Sequence, residues 1–452
     1  MGTAVSSGLE SPTGSIGARL KRELTTPRRS HSSHESSRLA SLDSARGAAM
    51  LFVCIAHFAN SYLYAAGAGR AGTDLATIGM LASPTFVTVS GMVTGLMLVT
   101  RRKSFAHFRR KLVDRGVFLL LIGHPILAFM GVLSGTGFYN AYRIGYITDA
   151  IAIAIIIGPW LASTLSQRSR LLLASAIFTV DWCAILFWSR GAGTSALAKH
   201  YFVGLLNPAD VGVNFQAFPV IPWVAVYLVG TVIGERVASY YLGERQREGH
   251  LLLARIGLAS FSFGATVKLG LMAVRHSVPD FAHVHPNLMA LLSSYQKFPP
   301  GPIYICLYAG AGLLLVSGVL EAGRRGIQPG LMNQLRQIGQ ASLFSYIAEF
   351  YLYRVLLQRL RIPYTSLWPL LFFISVAMVL AAAVAWNSIE GNRFLTVGLA
   401  PFLERNARRR EIRLGQIPID VAATQGRHTR SPGRSPGVTR LGRELPTVQL
   451  SK

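Results

Sequence analysis

Apolar residues in this chain are gathered into long blocks, and the polar stretches between the blocks are short and rich in arginine. A helix needs about 20 predominantly apolar residues to cross a bilayer. On that criterion the pattern predicts ten spans, at residues 46–66, 75–100, 117–134, 144–163, 171–189, 216–235, 251–273, 301–322, 341–359 and 365–387. The expected fold is therefore an all-α, polytopic integral membrane protein of about ten transmembrane helices. Spans 117–134 and 144–163 lie close together and could form one hairpin of tilted helices. An even number of crossings puts both termini on one side. The connections on that side include RRKSFAHFRRKLVDR (101–115), SQRSR (166–170), ERQREGH (244–250) and EAGRRG (321–326). Lysine and arginine mark cytoplasmic loops, so both termini are expected to be cytosolic.

Composition agrees with the pattern: 51% of the 452 residues are hydrophobic and only 14% are charged. The formal net charge of +25 could suggest nucleic acid, but the arginines sit in the tails and short loops, where topology accounts for them. Cys54, Cys183 and Cys306 each fall inside an apolar block, at no zinc or disulfide spacing, and read as small core residues. Residues 1–37 lack the hydrophobic stretch of a signal peptide and read as a disordered basic tail. Residues 38–395 form the membrane domain, and 396–452 a second disordered basic tail held near anionic lipid by its charge. The longest outer connections, 189–218 and 275–300, are too small for a separate enzyme domain, so any chemistry falls to the membrane domain itself. The Gly and Pro breaks at Pro84, Pro125, Pro222 and Pro299–Pro300 do not repeat one half of the chain in the other, as an inverted-repeat transporter would require.

One polar intrusion stands out in RLASLDSARGAAMLFVCIAH (38–57). His57 follows Arg46 by eleven residues, about 16 Å along a helix and only about 20° around it. A helix entering the membrane at Arg46 thus carries His57 close to the midplane of a core about 30 Å thick. An ionisable group at that depth is costly and marks function, against the bland alternative of a neutral histidine bonded between helices. Histidine is also the side chain best suited to take and return a proton near neutral pH. Asn60, one turn on, shares the face of His57 and could orient the ring or a substrate carbonyl. Asp43 and Arg46 read either as a capping acid with an (i, i+3) ion pair or as the edge of a groove in which Arg46 holds a phosphate. Asp149, Asp181, Lys268 and His124 are weaker candidates: Asp149 and Asp181 could line a cavity, Asp149 could instead satisfy Arg143, and Lys268 and His124 could snorkel. Ser90 and Gly91 could let the second span approach the first, while Gly230 and Gly234 form a packing motif. Asp280, His283 and His285 match no strong ligand spacing, and no metal site is expected.

An arginine, ten intervening residues and a histidine after Ser-Leu-Asp resemble the first helix of transmembrane acyltransferases. Four further stretches fit in the same order: SPTFVTVSG (83–91), FPVIPWVAVYLVGTVIG (218–234), KFPPGPIYICLYAG (297–310) and IGQASLFSYIAEFYL (338–352). Residues 38–395 together are most similar to the catalytic-domain family of heparan-α-glucosaminide N-acetyltransferase, and more distantly to the sugar O-acetylases of acyltransferase family three. The resemblance implies that His57 is the catalytic histidine and that Arg46 belongs to its paired motif. It also implies transfer of an acyl group, in the first instance acetyl, from cytosolic acetyl-coenzyme A to a hydroxyl or amine, often of a sugar, at or across the membrane. Coenzyme A phosphates need cations at the cytosolic surface, and Arg101, Arg102 and Arg115, with Arg46, are the expected donors. Relatives commonly carry a histidine where this chain has Glu349, which could pair with His57 or Arg354 or take part in proton transfer. The expected partners are acyl-CoA, a sugar or glycan acceptor, the lipid bilayer and a second copy of the chain, in a bacterial inner membrane; nucleic acid is not among them. The competing function class is a transporter or flippase relaying protons through His57, Asp149 and Glu349.

Overall fold

The computed structural model describes residues 29–63, 67–188, 193–213, 215, 217–278, 280–360 and 362–413. The longer helices are α1 (Arg29–Phe58), α2 (Gly69–Gly79), α3 (Ala82–Thr100), α4 (Phe105–Phe118), α5 (His124–Leu133), α6 (Ile147–Thr164), α7 (Gln167–Phe187) and α8 (Thr194–Phe202). They continue with α9 (Val220–Leu242), α10 (Gln246–Ser277), α11 (Pro302–Arg324), α12 (Pro329–Gln340), α13 (Ser342–Phe350), α14 (Trp368–Ser388) and α15 (Leu399–Arg413). No strand occurs among the described residues. Of the tails read from the sequence, residues 29–37 are already helical in α1 and 399–413 form α15. Residues 1–28 and 414–452 lie outside the described residues.

Among the described residues nine helical segments are long and apolar enough to cross a membrane, against the ten spans expected. The difference lies at 341–359. Residues 342–360 are continuously helical, but Glu349, Arg354 and Arg359 make this stretch too polar to qualify on composition. The two close spans at 117–134 and 144–163 are separate: α4 and α5 run as one long segment through a π-helical turn at Leu119–Gly123, and α6 returns after a short connection. Helix starts are set locally. Asp149 accepts a hydrogen bond from the Tyr146 amide at 2.8 Å and so caps α6, and Ser166 Oγ accepts from the Ser169 amide at 3.1 Å at the start of α7. Proline at the first position opens α11 and α12, where its missing N–H leaves no helical bond unmade.

The centre of the bundle is the pair α3 and α9, packed through glycines. A Cβ on Gly91 would lie 2.2 Å from the Tyr227 carbonyl oxygen, and one on Gly95 1.9 Å from that of Thr231. In return, Gly230 and Gly234 sit against the carbonyls of Thr88 and Met92. Small residues thus let two backbones touch where apolar lipid supplies no hydrophobic force to join helices. This corrects one expectation: Gly91 seats the second span on α9 rather than on α1, while Ser90 turns its hydroxyl to the Phe86 carbonyl and lines a cavity. The same device recurs where Gly47 meets the Leu335 carbonyl and Gly339 that of Asp43, binding α12 to the middle of α1. The apolar stretches of α3 and α9 are 72% buried, whereas that of α10 is only 11% buried. Exposed Leu258, Phe263, Leu269 and Met272 give α10 the apolar outer surface that lipid would cover.

Gly91→Val places branched carbons where a carbonyl now stands, so overpacking should cost about 1–3 kcal/mol or more. The expected outcome is a clear drop in thermal midpoint of the detergent-purified protein, whereas Gly270→Ala, a position open on all sides, should leave the midpoint unchanged.

Candidate active site

His57 lies at the last turn of regular α-helix in α1, and the next five residues, Ala59–Leu63, widen into a π-helical turn. Opposite it, Glu349 lies one residue before the end of α13, and Tyr351–Leu357 widen in the same way. His57 Nδ1 lies 2.8 and 2.9 Å from the two oxygens of Glu349. When Glu349 is ionised it can only accept, so Nδ1–H then donates and the lone pair of Nε2 is left for the cavity. The Glu349 side chain is fully buried, while 26% of the His57 side chain is exposed. Tyr346 and Phe350, one turn apart on α13, meet the imidazole edge to face at 5.9 and 5.8 Å and fix its plane. Of the alternatives open for Glu349, the geometry selects pairing with His57. Arg354 is exposed, with its guanidinium 5.9 Å from the Phe350 ring, and makes no ion pair with Glu349.

Two cavities converge on this pair. The narrower, about 200 Å³, runs from Arg46, Arg115, Gln340 and Asn392 past Phe86 and Ser90 to His57. The wider, about 1010 Å³, opens the other way and is lined by Asn60, Tyr146, Asn140, Asn207, Asp210 and Arg354. Among the described residues, only Ala56, His57, Phe218, Lys297 and Tyr346 line both. The junction of the two cavities is therefore at the histidine, and the face shared by Arg46 and His57, read from an eleven-residue spacing, is one wall of the narrow cavity.

The far end of the narrow cavity is cationic. Arg46 donates to Ser342 Oγ at 2.7 Å and lies 3.8 Å from Asp43, with its Nε buried and unpartnered. Asp43 in turn feels Arg46, Arg336 and Arg115, one carboxylate among three guanidiniums. Of the capping account only the ion pair is present, since α1 begins at Arg29 and Asp43 lies inside it rather than at its start; Arg46 lines the cavity. Arg115 lines the cavity as expected. Arg101 and Arg102 do not; they lie exposed in the turn between α3 and α4 and line neither cavity. Asn60 opens into the wide cavity beside His57.

The remaining polar groups are accounted for elsewhere. Asp149 pairs with His124 Nδ1 at 3.0 Å rather than with Arg143, and His124 Nε2 faces the Tyr142 carbonyl at 3.2 Å, so His124 is held between helices instead of snorkelling. Arg143 stacks over Tyr139 and Phe215. Asp181 is buried away from both cavities, and neither of its oxygens has a hydrogen-bond partner among the described residues. Lys268 lies 5.8 Å from the Tyr295 ring. Among the described residues no three His, Cys, Asp or Glu side chains converge as a metal site.

Lys297 is the junction residue that sequence reasoning passed over. It stands in the KFPPGP stretch, whose prolines read as a helix break; the available signal is a lysine in a connection expected on the outer side, where fewer basic residues are expected.

The model of the family described as "Heparan-alpha-glucosaminide N-acetyltransferase, catalytic" matches residues 38–263, half of the chain. The matched stretch holds Arg46, His57, Asn60, Arg101, Arg102 and Arg115, and ends before Lys297 and Glu349. No curated protein matches the sequence. From its first helix through α9 and half of α10, the chain belongs to the family of the heparan-alpha-glucosaminide N-acetyltransferase catalytic domain, a family of acetyltransferases.

Proposed function

We propose that this protein moves an acetyl group from cytosolic acetyl-coenzyme A to an amine or hydroxyl of a sugar on the opposite face of a bacterial inner membrane, with His57 as general base. The observation that carries this reading is the pair of cavities meeting at His57, one ending in arginines and the other in neutral polar side chains with few charges. The phosphates of coenzyme A cannot enter hydrocarbon, whereas its pantetheine arm is long and uncharged. A narrow passage with guanidiniums at its mouth suits that molecule: Arg46 and Arg115 hold phosphate oxygens, and Phe86, Val93 and Ile151 flank the arm. Family membership makes acetyl the group expected on the thioester.

Each residue then has a task. Glu349 accepts from Nδ1–H, which fixes the tautomer with Nε2 free and stabilises the imidazolium once a proton arrives. Nε2 takes the proton of the acceptor as the acceptor attacks the thioester carbon. Asn60, on the wide side of His57, orients the acceptor. Asn140 and Asn207 offer neutral hydrogen-bonding groups of the kind a sugar takes up. Arg101 and Arg102, outside the cavity, contribute to orientation in the membrane and attract the anionic donor. A second copy of the chain is compatible with the exposed apolar helices but is not needed to complete the site.

Two sets of variants test the reading, with acetyl-coenzyme A thioester cleavage as the measurement. His57→Ala should lower kcat by about 10²–10⁴-fold, the usual worth of a general base. Glu349→Gln should lower it by about 10²-fold or more, and the double variant should lose little beyond His57→Ala, because the pair acts as a unit. Undiminished turnover in His57→Ala would sink the mechanism. Arg46→Ala and Arg115→Ala remove charge-assisted bonds worth about 1.5–3 kcal/mol each, so KM for acetyl-coenzyme A should rise about 10–100-fold with kcat less affected. Arg101→Ala, lining neither cavity, should change KM little.

A further inference from the structure

The wide cavity and the narrow one can exchange an acyl group only where they meet, and the junction has a short list of polar side chains: His57, Lys297 and Tyr346. His57 is committed to accepting a proton. Arg46 stands three helical turns away, about 16 Å along α1. Neither residue meets the charge that appears when the carbonyl of a thioester is attacked, although stabilising such an oxyanion is usually the largest single contribution to catalysis.

Lys297 has the position and the fixation for that task. Its loop is closed by Gly301 N–H to the Gln296 carbonyl at 3.0 Å and by Gln296 Nε2 to the Phe298 carbonyl at 2.7 Å. Trp182 Nε1 ties the loop to α7 by donating to the Pro300 carbonyl at 3.2 Å. The ammonium lies 5.3 Å from the Phe218 ring and 5.5 Å from the Phe298 ring, against π faces that attract a cation without taking up its N–H groups. Among the described residues Lys297 takes part in no ion pair with a carboxylate. Burial pushes the Lys297 ammonium down to about 8. The ionisable groups around it are His57 on α1 with Glu349 behind it, Tyr346 on α13, Tyr146 ahead of α6, and Asp210 and Arg354 on the wide side. Arg46 and Arg115 stand at the far mouth. Tyr346 can add a neutral hydrogen bond at the junction; lysine alone brings a positive charge there.

We propose that Lys297 is the electrophilic catalytic residue of the transfer, its ammonium donating to the thioester carbonyl oxygen where the two cavities meet. The inference rests on the acetyltransferase reading above. The acceptor nitrogen or oxygen bonds to the carbonyl carbon while its proton passes to His57 Nε2, and the π pair of the carbonyl moves onto oxygen. Lys297 holds that oxyanion. When the pair returns, the carbon–sulfur bond breaks, and coenzyme A leaves as the thiolate and takes the proton from the His57 imidazolium. Lysine keeps its proton throughout, so turnover falls as pH rises through about 8.

The test uses the full-length protein in detergent, with acetyl-coenzyme A as donor and glucosamine or water as acceptor, reading free thiol, and a thermal shift with acetyl-coenzyme A as the binding measurement. Lys297→Met should lower kcat by about 10²-fold, the worth of one oxyanion donor, with KM for both substrates and the thermal shift unchanged. Lys297→Arg, which keeps a cation at every accessible pH, should restore part of kcat and move the alkaline limb of the kcat profile above its wild-type position near 8. Should Lys297→Met fail to fold, the alkaline limb of Lys297→Arg decides: a limb that stays put overturns the proposal. Unchanged kcat in Lys297→Met overturns it too, as does a rise confined to KM for glucosamine, which would make the lysine an acceptor-binding group. Wild-type protein that neither cleaves nor binds acetyl-coenzyme A overturns the acetyltransferase reading itself, and this inference with it. Wild-type turnover that is lost in His57→Ala but kept in Lys297→Met overturns the lysine alone.

Discussion

A carboxylate sealed from water inside a bundle of apolar helices must be partnered, because the desolvation of an unpaired charge costs several kcal/mol or more. Glu349, with no exposed side-chain surface, meets that demand with a single ring nitrogen, His57 Nδ1. Much of the architecture follows from keeping these two groups together and giving only one of them access to a cavity. The partnership decides the imidazole tautomer and so turns the outward nitrogen into an acceptor. Tyr346 and Phe350 close the ring in from its edges, so that the orientation is held by packing as well as by the hydrogen bonds.

Around this pair the bundle divides its polar side chains by purpose. Guanidiniums gather at the mouth of the narrow cavity, and neutral amides and hydroxyls dominate the wide one. The division makes sense for a group that must change carriers between two sides without its charged carrier crossing. The helices that bear the site are tightly joined through glycine contacts: Gly47 and Gly339 lock α12 against α1 on the Arg46 side, and Gly91 and Gly230 lock α3 against α9. Rigid backbones of this kind can hold reacting groups within the small tolerance that catalysis requires.

How much of this was legible in the sequence varies by the range of the contact involved. Block length and hydropathy, both local properties, placed every one of the nine qualifying segments among the described residues and added a tenth, at 341–359, that does not qualify. The stretch at 341–359 differs because its charges, Glu349 and Arg354, answer to partners and cavities contributed by other helices. The wall joining Arg46 to His57 could be read because both lie on one helix, where spacing fixes direction. Arg101 and Arg115 are both basic residues of one loop region, yet only Arg115 lines the cavity, because it sits a further three turns or more along the helix that turns inward. Gly91 chose α9 over α1 for the same reason: which neighbour a small residue meets is decided by tertiary packing. Lys297 was hidden because a loop has no periodicity from which to infer facing. Its placement depends on bonds to Gln296, Phe298 and Trp182 that no sequence window contains together.

The two π-helical turns give a physical reason why histidine and glutamate meet where they do. One begins two residues after His57 and the other two residues after Glu349, and the turns touch each other. An extra residue in a turn rotates everything beyond it relative to what precedes it. On α1 this leaves His57 facing the cavities while Phe58, Tyr62 and Leu63 are buried against Tyr353, Phe372 and neighbouring residues of α14. It also opens Asn60 onto the wide side. On the partner helix it buries Tyr353, whose hydroxyl meets Ser375 Oγ at 2.9 Å, and leaves Arg354 turned to the wide cavity. Wider turns sacrifice regular hydrogen-bond geometry, a cost that a helix in apolar surroundings sustains only where packing on both sides compensates. The aromatic cluster between the two turns supplies that packing. The same local widening therefore seals the carboxylate side of the pair from water and opens the imidazole side to substrate.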